Sequence, residues 1–299
     1  MFLLSDVLEA LLAGSPLQFP SLPGVELAAL PVSAAWLRRV ITEAVIDSRQ
    51  AIPGSLFVAL PGEHQDGHDF VTHAFERGAH VALVQRDLSE RFTSTVKYAV
   101  LDLRKESLET AKTALLATVG DAAISDAPIC LWVDDSLAAL QMIARHWRRK
   151  LNVRVIGITG SVGKSTTKEL VAEVLEQRFR TLRNEGNLNN EIGLPITLLR
   201  LGEGHQRAVL EMGFYVPGEI AFLCDLAQPS IGVVTNIGTV HAERAGSQEI
   251  IARGKAELVQ ALPADPQGVA ILNYDDPFVR QMANLTQARV FFYGLDAHA

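Results

Sequence analysis

A glycine-rich run that ends in a lysine and two hydroxyl residues is the strongest chemical signal in the 299-residue sequence. The run VIGITGSVGKSTTKE continues an apolar segment, Val153–Ile158, and leads into a helical pattern that begins at Ser165. Gly160 and Gly163 allow backbone N–H groups to turn toward a polyphosphate, and the N-terminus of the following helix adds a favourable dipole. Lys164 supplies a positive charge for the β- and γ-phosphates. The run therefore predicts a site for nucleotide phosphates.

Metal binding is expected at the same turn, because the hydroxyl of Ser165 is placed to reach an Mg²⁺ ion on the phosphates. The strict pattern GxxxxGK[ST] is not met, since Ile158 stands where the first glycine belongs. A purely structural glycine turn is the alternative reading. The predicted nucleotide-binding residues of the turn are Gly160, Ser161, Gly163, Lys164, Ser165 and Thr166.

The elements around this turn alternate between apolar runs and helical patterns from Asp134 onward. This alternation predicts a parallel sheet with helices on both faces. The predicted strands are Val153–Ile158, Arg207–Glu211, Ile231–Thr235 and Val269–Leu272. The predicted helices run from Ser136 to about Arg149, from Ser165 to about Phe179 and from Ile250 to Leu262. The apolar face of the helix after the glycine turn is expected to comprise Leu170, Val171, Val174, Leu175 and Phe179.

The first part of the sequence has a different texture, with short strands between Pro- and Gly-rich turns. The predicted strands there are Ala44–Ile46, Ser55–Val58 and Val81–Val84. We therefore predict two α/β domains, a small one at residues 1–133 and a P-loop-type parallel-sheet domain at 134–299. The stretch Arg91–Ala127 is expected to be an insert that carries one helix, Glu106–Thr118.

Composition and charge exclude two classes of partner. The net charge is −7, the sequence pI is about 5.6, and no extended Lys/Arg run occurs, which argues against sequence-independent binding of nucleic acid. No window offers the roughly 18 apolar residues of a membrane span, and the N-terminal helical pattern has no basic leader. We expect a cytoplasmic protein without a membrane or nucleic-acid partner.

Several further runs, in order along the sequence, resemble the Mur ligase family. The runs in the second domain are TGSVGKSTTKE, NEGNLNNEIGLPITLL, LEMGFYVPGEI, TNIGTVHAERAGS, GKAEL and NYDDP. In the first domain, IDSRQAIPGSLFVALPGEHQDGHDF resembles the uridine-nucleotide-binding domain of the same enzymes. The resemblance implies an ATP-dependent ligase of peptidoglycan synthesis that forms a carbon–nitrogen bond. The branch that it favours adds D-alanyl-D-alanine to UDP-N-acetylmuramoyl-tripeptide through an acyl phosphate.

The resemblance also implies a catalytic centre that comprises Lys164, His241 and Lys255. Ser165 and Glu211 would hold a first Mg²⁺ on the ATP phosphates, and His241 would bind a second Mg²⁺ beside the acyl phosphate. Lys255 corresponds to a lysine that the family carbamylates, which converts a cation into a carboxylate able to hold the second metal. The structural alternatives are an exposed acid at a turn, a satisfied polar histidine and a solvated helix lysine.

Substrate contacts are expected in three further places. Asn187, Asn189 and Asn190 can offer neutral amides to substrate or phosphate, although turn chemistry also explains such a cluster. Asn273 and Asp276 resemble the positions near the adenine and ribose, and a strand-end turn is the alternative. Ser48 and Arg49 are the expected contacts to the uridine diphosphate, with a surface salt bridge as the competing role for the arginine.

The family's third domain, which binds the incoming amino compound, has no counterpart in this sequence. We therefore expect a protein that binds ATP·Mg²⁺ and the uridine nucleotide as a monomer but forms the amide bond poorly alone. The alternatives are a Mur-type ligase with another acceptor, a folate glutamyl ligase, and a non-catalytic nucleotide-binding module that works with a partner protein. A plain P-loop NTPase would leave the downstream motifs unexplained.

Overall fold

The computed structural model describes residues 1–13, 36–88, 98–104, 127–238 and 247–295. The protein divides into two compact units, Met1–Trp147 and Arg148–Ala299, and each unit contains one parallel sheet with helices. The predicted α/β class is therefore confirmed. Within the described ranges, no helix has the length and apolar character that crossing a membrane requires.

The first unit contains a five-stranded parallel sheet with the order β1-β2-β3-β5-β4. The strands are β1 Ala44–Val45, β2 Leu56–Val58, β3 Val81–Val84, β4 Ala99–Asp102 and β5 Ile129–Trp132. The helices are α1 Leu4–Ala13, α2 Val71–Glu76 and α3 Ser136–Lys150, with 3-10 turns at Ser48–Gln50 and Gly67–Phe70. β2 and β3 are buried along their whole length, because apolar residues occupy both faces of these central strands.

The stretch Arg91–Ala127 is not simply an insert, because it contributes a strand to the sheet. β4 pairs in parallel with β5, from Ala99 opposite Ile129 to Asp102 opposite Trp132. The sequence pattern did not predict this strand, because the strand is short and lies at the edge of the sheet, with Val100 exposed. The helix expected at Glu106–Thr118 lies outside the described residues.

The division between the units falls later than the expected boundary at residue 133/134. Helix α3 belongs to the first unit through most of its length, since the ring of Trp147 packs against Phe2 with centroids 4.9 Å apart. At the other end of the helix, the backbone N–H of Ser136 donates to the side chain of Gln85. The helix therefore completes the first unit, and the second unit begins at Arg148.

The second unit contains a six-stranded parallel sheet with the order β11-β10-β9-β6-β8-β7. Its strands are β6 Arg154–Thr159, β7 Thr181–Arg183, β8 Arg207–Glu211, β9 Ile231–Val234, β10 Val269–Asn273 and β11 Arg289–Tyr293. Its helices are α4 Lys164–Glu176, α5 Gly193–Leu199, α6 Glu219–Ala227, α7 Gln248–Gln260 and α8 Pro277–Gln281. The polypeptide leaves β6 toward β7 and β8 on one side and returns to β9 on the other. The carboxyl end of β6 is therefore a topological switch point, where sheets of this kind bind ligands.

Helices cover both faces of this sheet, as predicted. Ile156 and Ile158 of β6 pack with Ala172 of α4 on one face. Gly157 points to the other face, where a Cβ atom would lie 2.9 Å from Leu258 of α7. The glycine lets α7 approach the central strand closely.

The expected apolar face of α4 is partly wrong. Leu170 is 59% exposed and Val174 is 71% exposed, whereas the residues of α4 that are fully buried are Lys168 and Ala172. Val171 and Leu175 pack at the margin of the core, and α4 ends before Phe179. The face of α4 that contains Lys168 and Ala172 packs against the protein, and the face that contains Leu170 and Val174 is exposed.

Candidate active site

The glycine turn joins the carboxyl end of β6 to the first turn of α4. Gly163 is the N-cap of the helix with φ +84°, and Gly160 has φ +147°, both in the range that favours glycine. A Cβ atom on Gly160 would lie only 1.9 Å from the hydroxyl oxygen of Thr235. The strand–turn–helix arrangement predicted from the sequence is therefore present, and it is compatible only with glycine at residue 160.

Several hydrogen bonds join this turn to the loop that follows β9. The backbone carbonyl of Val162 accepts from Thr235 Oγ1 (2.7 Å) and from Asn236 Nδ2 (2.9 Å). The N–H of Val162 donates to Asn236 Oδ1 (2.9 Å), and Ser161 N donates to Asn236 O (2.9 Å). Ser161 Oγ accepts from Gly238 N at 2.9 Å. The side chains of Thr235 and Asn236 therefore fix the shape of the phosphate loop, a role that the sequence motifs did not reveal.

The carboxylate of Glu211 lies directly beside the first turn of α4. The Ser165 hydroxyl donates to Glu211 Oε2 at 2.7 Å, and Asn189 Nδ2 donates to Oε1 at 2.8 Å. Glu211 is 3% exposed. Among the residues that the structure describes, no Lys, Arg or His side chain forms an ion pair with its carboxylate. The structure thus brings Ser165, Glu211 and Asn189 together, while their contact with metal and substrate stays a prediction.

Two lysines converge on one carbonyl oxygen. Lys164 Nζ donates to Gly160 O at 2.9 Å, and Lys255 Nζ donates to the same oxygen at 3.1 Å. Lys255 is 3% exposed, and burial lowers the pKa of its amine to about 7, with the charge of Lys164 contributing to the decrease. The sequence could not show that Lys255 is buried, and its alternative as a solvated helix lysine is wrong.

The aromatic ring of Phe214 packs beside the amine of Lys255. The ring of Phe214 lies 4.9 Å from Lys255 Nζ, and a Cβ atom on Gly254 would approach the ring to 1.9 Å. Gly254 is therefore the residue that allows Phe214 to pack against the helix beside the amine. Burial of the amine among such groups favours its neutral form and lowers the pKa of Lys255.

The other members of the asparagine cluster have different positions. Asn190 Oδ1 accepts from the N–H groups of Ile192 and Gly193 and thereby caps the start of α5. The backbone carbonyl of Asn187 accepts from Asn189 N and closes the turn. For these two residues the structural roles are visible, and a substrate role stays a prediction.

The strand-end residues after β10 also have structural partners. Asn273 Nδ2 donates to Thr235 O at 2.9 Å, and Asp276 Oδ2 accepts from Ile237 N at 2.7 Å. Asp276 Oδ1 caps α8 through Phe278 N and Val279 N. Both residues hold the loop after β9 in place, and their proposed contact to adenine and ribose stays a prediction. Thr166 is exposed in the first turn of α4, and His241 lies outside the described residues.

The predicted uridine site in the first unit is formed by neighbouring residues. Arg49 is 82% exposed and makes a bidentate pair with Asp47, which lowers the pKa of the Asp47 carboxyl. Ser48 is buried, and its hydroxyl lies 2.9 Å from His73 Nδ1 on α2. The salt bridge expected as the alternative role of Arg49 is present, while contact of Ser48 and Arg49 with a diphosphate stays a prediction.

Two family models match most of the sequence. Residues 158–299 match the Mur ligase middle domain, and residues 40–120 match the catalytic domain of the Mur ligase family. The chain belongs to the Mur ligase family. The first match begins inside β6 and covers every residue of the glycine turn, Glu211 and Lys255.

Among the relatives of this Mur ligase are curated UDP-N-acetylmuramoyl-tripeptide–D-alanyl-D-alanine ligases. The protein from Synechocystis is 36% identical over 84% of this chain and 48% of its own length. The protein from Mycobacterium tuberculosis is 38% identical over 91% of this chain and 50% of its own length. The chain thus spans about half the length of the curated relatives that it matches.

Solved MurF structures have the same fold. A structure of MurF from Acinetobacter baumannii aligns with a TM-score of 0.65 at 32% identity, covering 84% of this chain and 48% of that chain. MurF from Thermotoga maritima in complex with ADP aligns with a TM-score of 0.65 at 28% identity, covering 86% of this chain and 51% of that chain.

Several site residues of this Mur ligase were missed by sequence reasoning. They are polar residues whose side chains form hydrogen bonds with backbone groups of other segments: Lys168, Asn184, Thr235 and Asn236. Lys168 could have been found from its spacing, because it lies three residues after Ser165 on the same face of α4.

Proposed function

We propose that this protein carries the ATP site and the uridine-nucleotide site of a ligase that joins D-alanyl-D-alanine to UDP-N-acetylmuramoyl-tripeptide. The observation that carries the proposal is the contact of Ser165 Oγ with the buried carboxylate of Glu211, beside the glycine turn and two lysines. The names of the relatives and the ADP complex of the Thermotoga MurF support the substrates. The reaction uses ATP, so we place it in the cytoplasm.

Nucleotide binding follows from the glycine turn and Lys164. The turn lies at the N-terminus of α4, where the first N–H groups of the helix and its dipole favour an anion. Lys164 adds an ammonium that would exchange its bond to the Gly160 carbonyl for contacts with the β- and γ-phosphates. Ser161 and Thr166 complete the polar lining of the turn in this proposal.

The donor set around Glu211 fits Mg²⁺. A carboxylate and a hydroxyl are hard oxygen ligands, and Mg²⁺ in nucleotide sites uses one or two carboxylates together with phosphates and water. Within the described ranges no group of three His, Cys, Asp or Glu residues could hold a metal, so phosphate oxygens would have to complete the site. When bound, Mg²⁺ neutralises negative charge on the phosphates. Ser165 and Glu211 would hold the ion, with Asn189 orienting the carboxylate.

The proposed reaction has two steps. In the first, an oxygen of the tripeptide carboxylate attacks the γ-phosphorus of ATP, the bond to the β-phosphate oxygen breaks, and ADP leaves. In the second, the amine of D-alanyl-D-alanine attacks the acyl carbon, loses a proton and expels inorganic phosphate. Lys164 and the N–H groups of the turn offset the negative charge that accumulates in the first step.

We propose that Lys255 acts after carbamylation. Its amine, with a pKa of about 7, is substantially neutral near physiological pH, and the neutral nitrogen can attack the carbon of CO₂ and release a proton. The product is a carbamate whose carboxylate would lie near the glycine turn, because Lys255 Nζ contacts Gly160 O. Together with His241, this carboxylate could ligate a second Mg²⁺. Carbamylation would also replace the repulsion between Lys164 and Lys255 by attraction.

The first unit would hold the uridine diphosphate at Ser48 and Arg49. Arg49 is exposed and presents a planar guanidinium that can bind a phosphate through two N–H groups. A diphosphate would compete with Asp47 for this guanidinium. His73 orients the Ser48 hydroxyl.

Calorimetric titration of the purified protein tests the proposal. We expect binding of ATP·Mg²⁺ and of UDP-N-acetylmuramoyl-tripeptide, with ATP binding strongly weakened in Lys164→Ala and retained in the surface control Lys150→Ala. Binding of ATP without the tripeptide nucleotide would overturn the substrate assignment and favour a Mur-type ligase with another acceptor. Absence of ATP binding by the folded wild-type protein would contradict the proposed nucleotide site.

A further inference from the structure

The end of β8 lacks a strand partner on one side. β7 pairs with β8 from Thr181 opposite Arg207 to Arg183 opposite Val209, and β7 ends there. Glu211 lies two residues further along β8, and its backbone N–H and carbonyl face the side that β7 has left. Both groups are buried and would be costly to leave without hydrogen bonds.

The carboxamide of Asn184 takes the place of the missing strand. Asn184 Oδ1 accepts from Glu211 N at 2.9 Å, and Asn184 Nδ2 donates to Glu211 O at 3.1 Å. Nδ2 also donates to Leu188 O at 2.9 Å, which closes the turn that carries Asn189. The fully buried carboxamide thus fixes the backbone of Glu211, and through the turn it fixes the amide that binds the Glu211 carboxylate.

A buried lysine holds Asn184 from the other side. Lys168 Nζ donates to the backbone carbonyl of Asn184 at 2.6 Å and pairs with Glu169 Oε1 at 2.9 Å. Lys168 is 1% exposed, and burying an ammonium costs more than burying an aliphatic group of similar size. Ser165, one turn earlier on α4, donates to the Glu211 carboxylate. One face of α4 therefore contacts Glu211 directly through Ser165 and indirectly through Lys168.

We infer that Lys168 and Asn184 are positioning residues that fix Glu211 for metal binding without touching metal or nucleotide. The inference rests on the proposed function, in which Glu211 is an Mg²⁺ ligand. It predicts that loss of either residue's polar group weakens the metal affinity of the nucleotide complex while the affinity for metal-free nucleotide is kept. Outer residues that orient metal ligands typically change metal affinity by roughly 10–100-fold.

Mn²⁺ titration of the ATP complex, followed by electron paramagnetic resonance, measures the metal affinity of the purified protein. ATP affinity in EDTA and the thermal midpoint are measured on the same samples. For Lys168→Met we expect Mn²⁺ affinity to fall by about tenfold or more, with ATP affinity in EDTA within about twofold of wild type. Lys168→Arg should restore part of the loss, because a guanidinium can donate to the Asn184 carbonyl.

Glu169→Gln is the matched control, since it removes the half-exposed partner of Lys168 and keeps the bond to Asn184. We expect its Mn²⁺ affinity to match wild type. Asn184→Asp is the second variant, because it keeps the shape of Asn184 but removes the donor to Glu211 O, and it should weaken Mn²⁺ binding even if Lys168→Met does not fold.

Different variants test the positioning role and the metal site itself. Unchanged Mn²⁺ affinity in folded Asn184→Asp, together with a loss in Glu211→Gln, would overturn the positioning role and keep Glu211 as a ligand. Equal losses of metal-free ATP affinity and Mn²⁺ affinity in Lys168→Met would assign Lys168 a merely structural role. Retention of full Mn²⁺ affinity in Glu211→Gln would instead contradict the proposed metal site.

Discussion

The two predicted binding regions of this protein differ in the sequence separation of the contacts that form them. In the second unit, Ser165 reaches Glu211 across 46 residues and Lys255 reaches Gly160 across 95 residues. In the first unit, Arg49 pairs with Asp47 two residues away and is 82% exposed. The first kind of site exists only when the sheet is assembled, whereas the second is formed largely by a single turn.

This difference decides what a substitution can do in each region. Gly160, Glu211 and Lys255 of the phosphate region are buried and serve both folding and binding, so changes to these residues should alter stability as well as ligand affinity. An exposed local pair contributes little to folding and can be changed with an effect on ligand binding alone.

Removal of the buried amine of Lys255 should have the largest effect on stability. Between about pH 7 and 10.5 the unfolded protein keeps a proton that the folded protein releases, so the free energy of unfolding should rise with pH across this window. In Lys255→Met the rise should disappear, a change of up to about 5 kcal/mol. Urea denaturation in CO₂-free buffer from about pH 6 to 10 measures it. The same pH dependence in both proteins would show that the amine is not buried.

A methyl group at Gly160 should destabilise the second unit. The Cβ atom of Gly160→Ala would collide with Thr235 Oγ1 and would require a backbone conformation that disfavours larger residues. We expect a loss of about 3 kcal/mol in the free energy of unfolding. Gly202→Ala is the control, since no atom lies within 4 Å of its Cβ position. Equal stability of the two variants would contradict the close approach of the loops.

Removal of the phosphate-loop ammonium should affect affinity more than folding. Lys164→Ala loses a charge-assisted hydrogen bond to phosphate, worth about 2–3 kcal/mol, or roughly 30–150-fold in the dissociation constant for ATP. Calorimetry measures the constant, with Lys150→Ala as the matched lysine control. A loss of less than about twofold would exclude Lys164 as a phosphate ligand.

The smallest effect is expected in the first unit. Arg49→Ala should weaken binding of the uridine nucleotide by roughly tenfold, because one bidentate phosphate contact is lost. The thermal midpoint should not change, since Arg49 is exposed. Arg77→Ala, another exposed arginine of the same unit, is the control. A large decrease in the midpoint for Arg49→Ala would show that the local turn has a structural role, and the contrast between the two regions would fail.

Much of the second unit could be predicted from the sequence, because its strands are apolar runs with clear boundaries. The predicted strand Arg207–Glu211 has the same bounds in the structure, and Val269–Leu272 is one residue short. The glycine turn, Ser165 and Glu211 follow from strand ends, which parallel sheets bring to one edge. The positions of these residues were therefore predictable from local patterns and topology.

The remaining errors concern burial that tertiary contacts decide. Periodicity on α4 favoured Leu170 and Val174 as buried residues, yet the buried stripe contains Lys168, whose partner is a carbonyl sixteen residues away. Local sequence cannot reveal that partner. The short edge strand Ala99–Asp102 was missed for a related reason, since few residues distinguish it from an irregular segment.

The loop tip at Val162 combines an exposed side chain with a hydrogen-bonded backbone. Its side chain is 59% exposed, yet its N–H and carbonyl are both bonded to the segment that contains Thr235 and Asn236. Surface exposure alone would suggest fast motion of this tip. Because both backbone groups are bonded, we expect the amide of Val162 to be restricted, with an NMR order parameter of about 0.85 as in rigid backbone. A polyphosphate would then meet a loop whose conformational entropy has already been lost on folding.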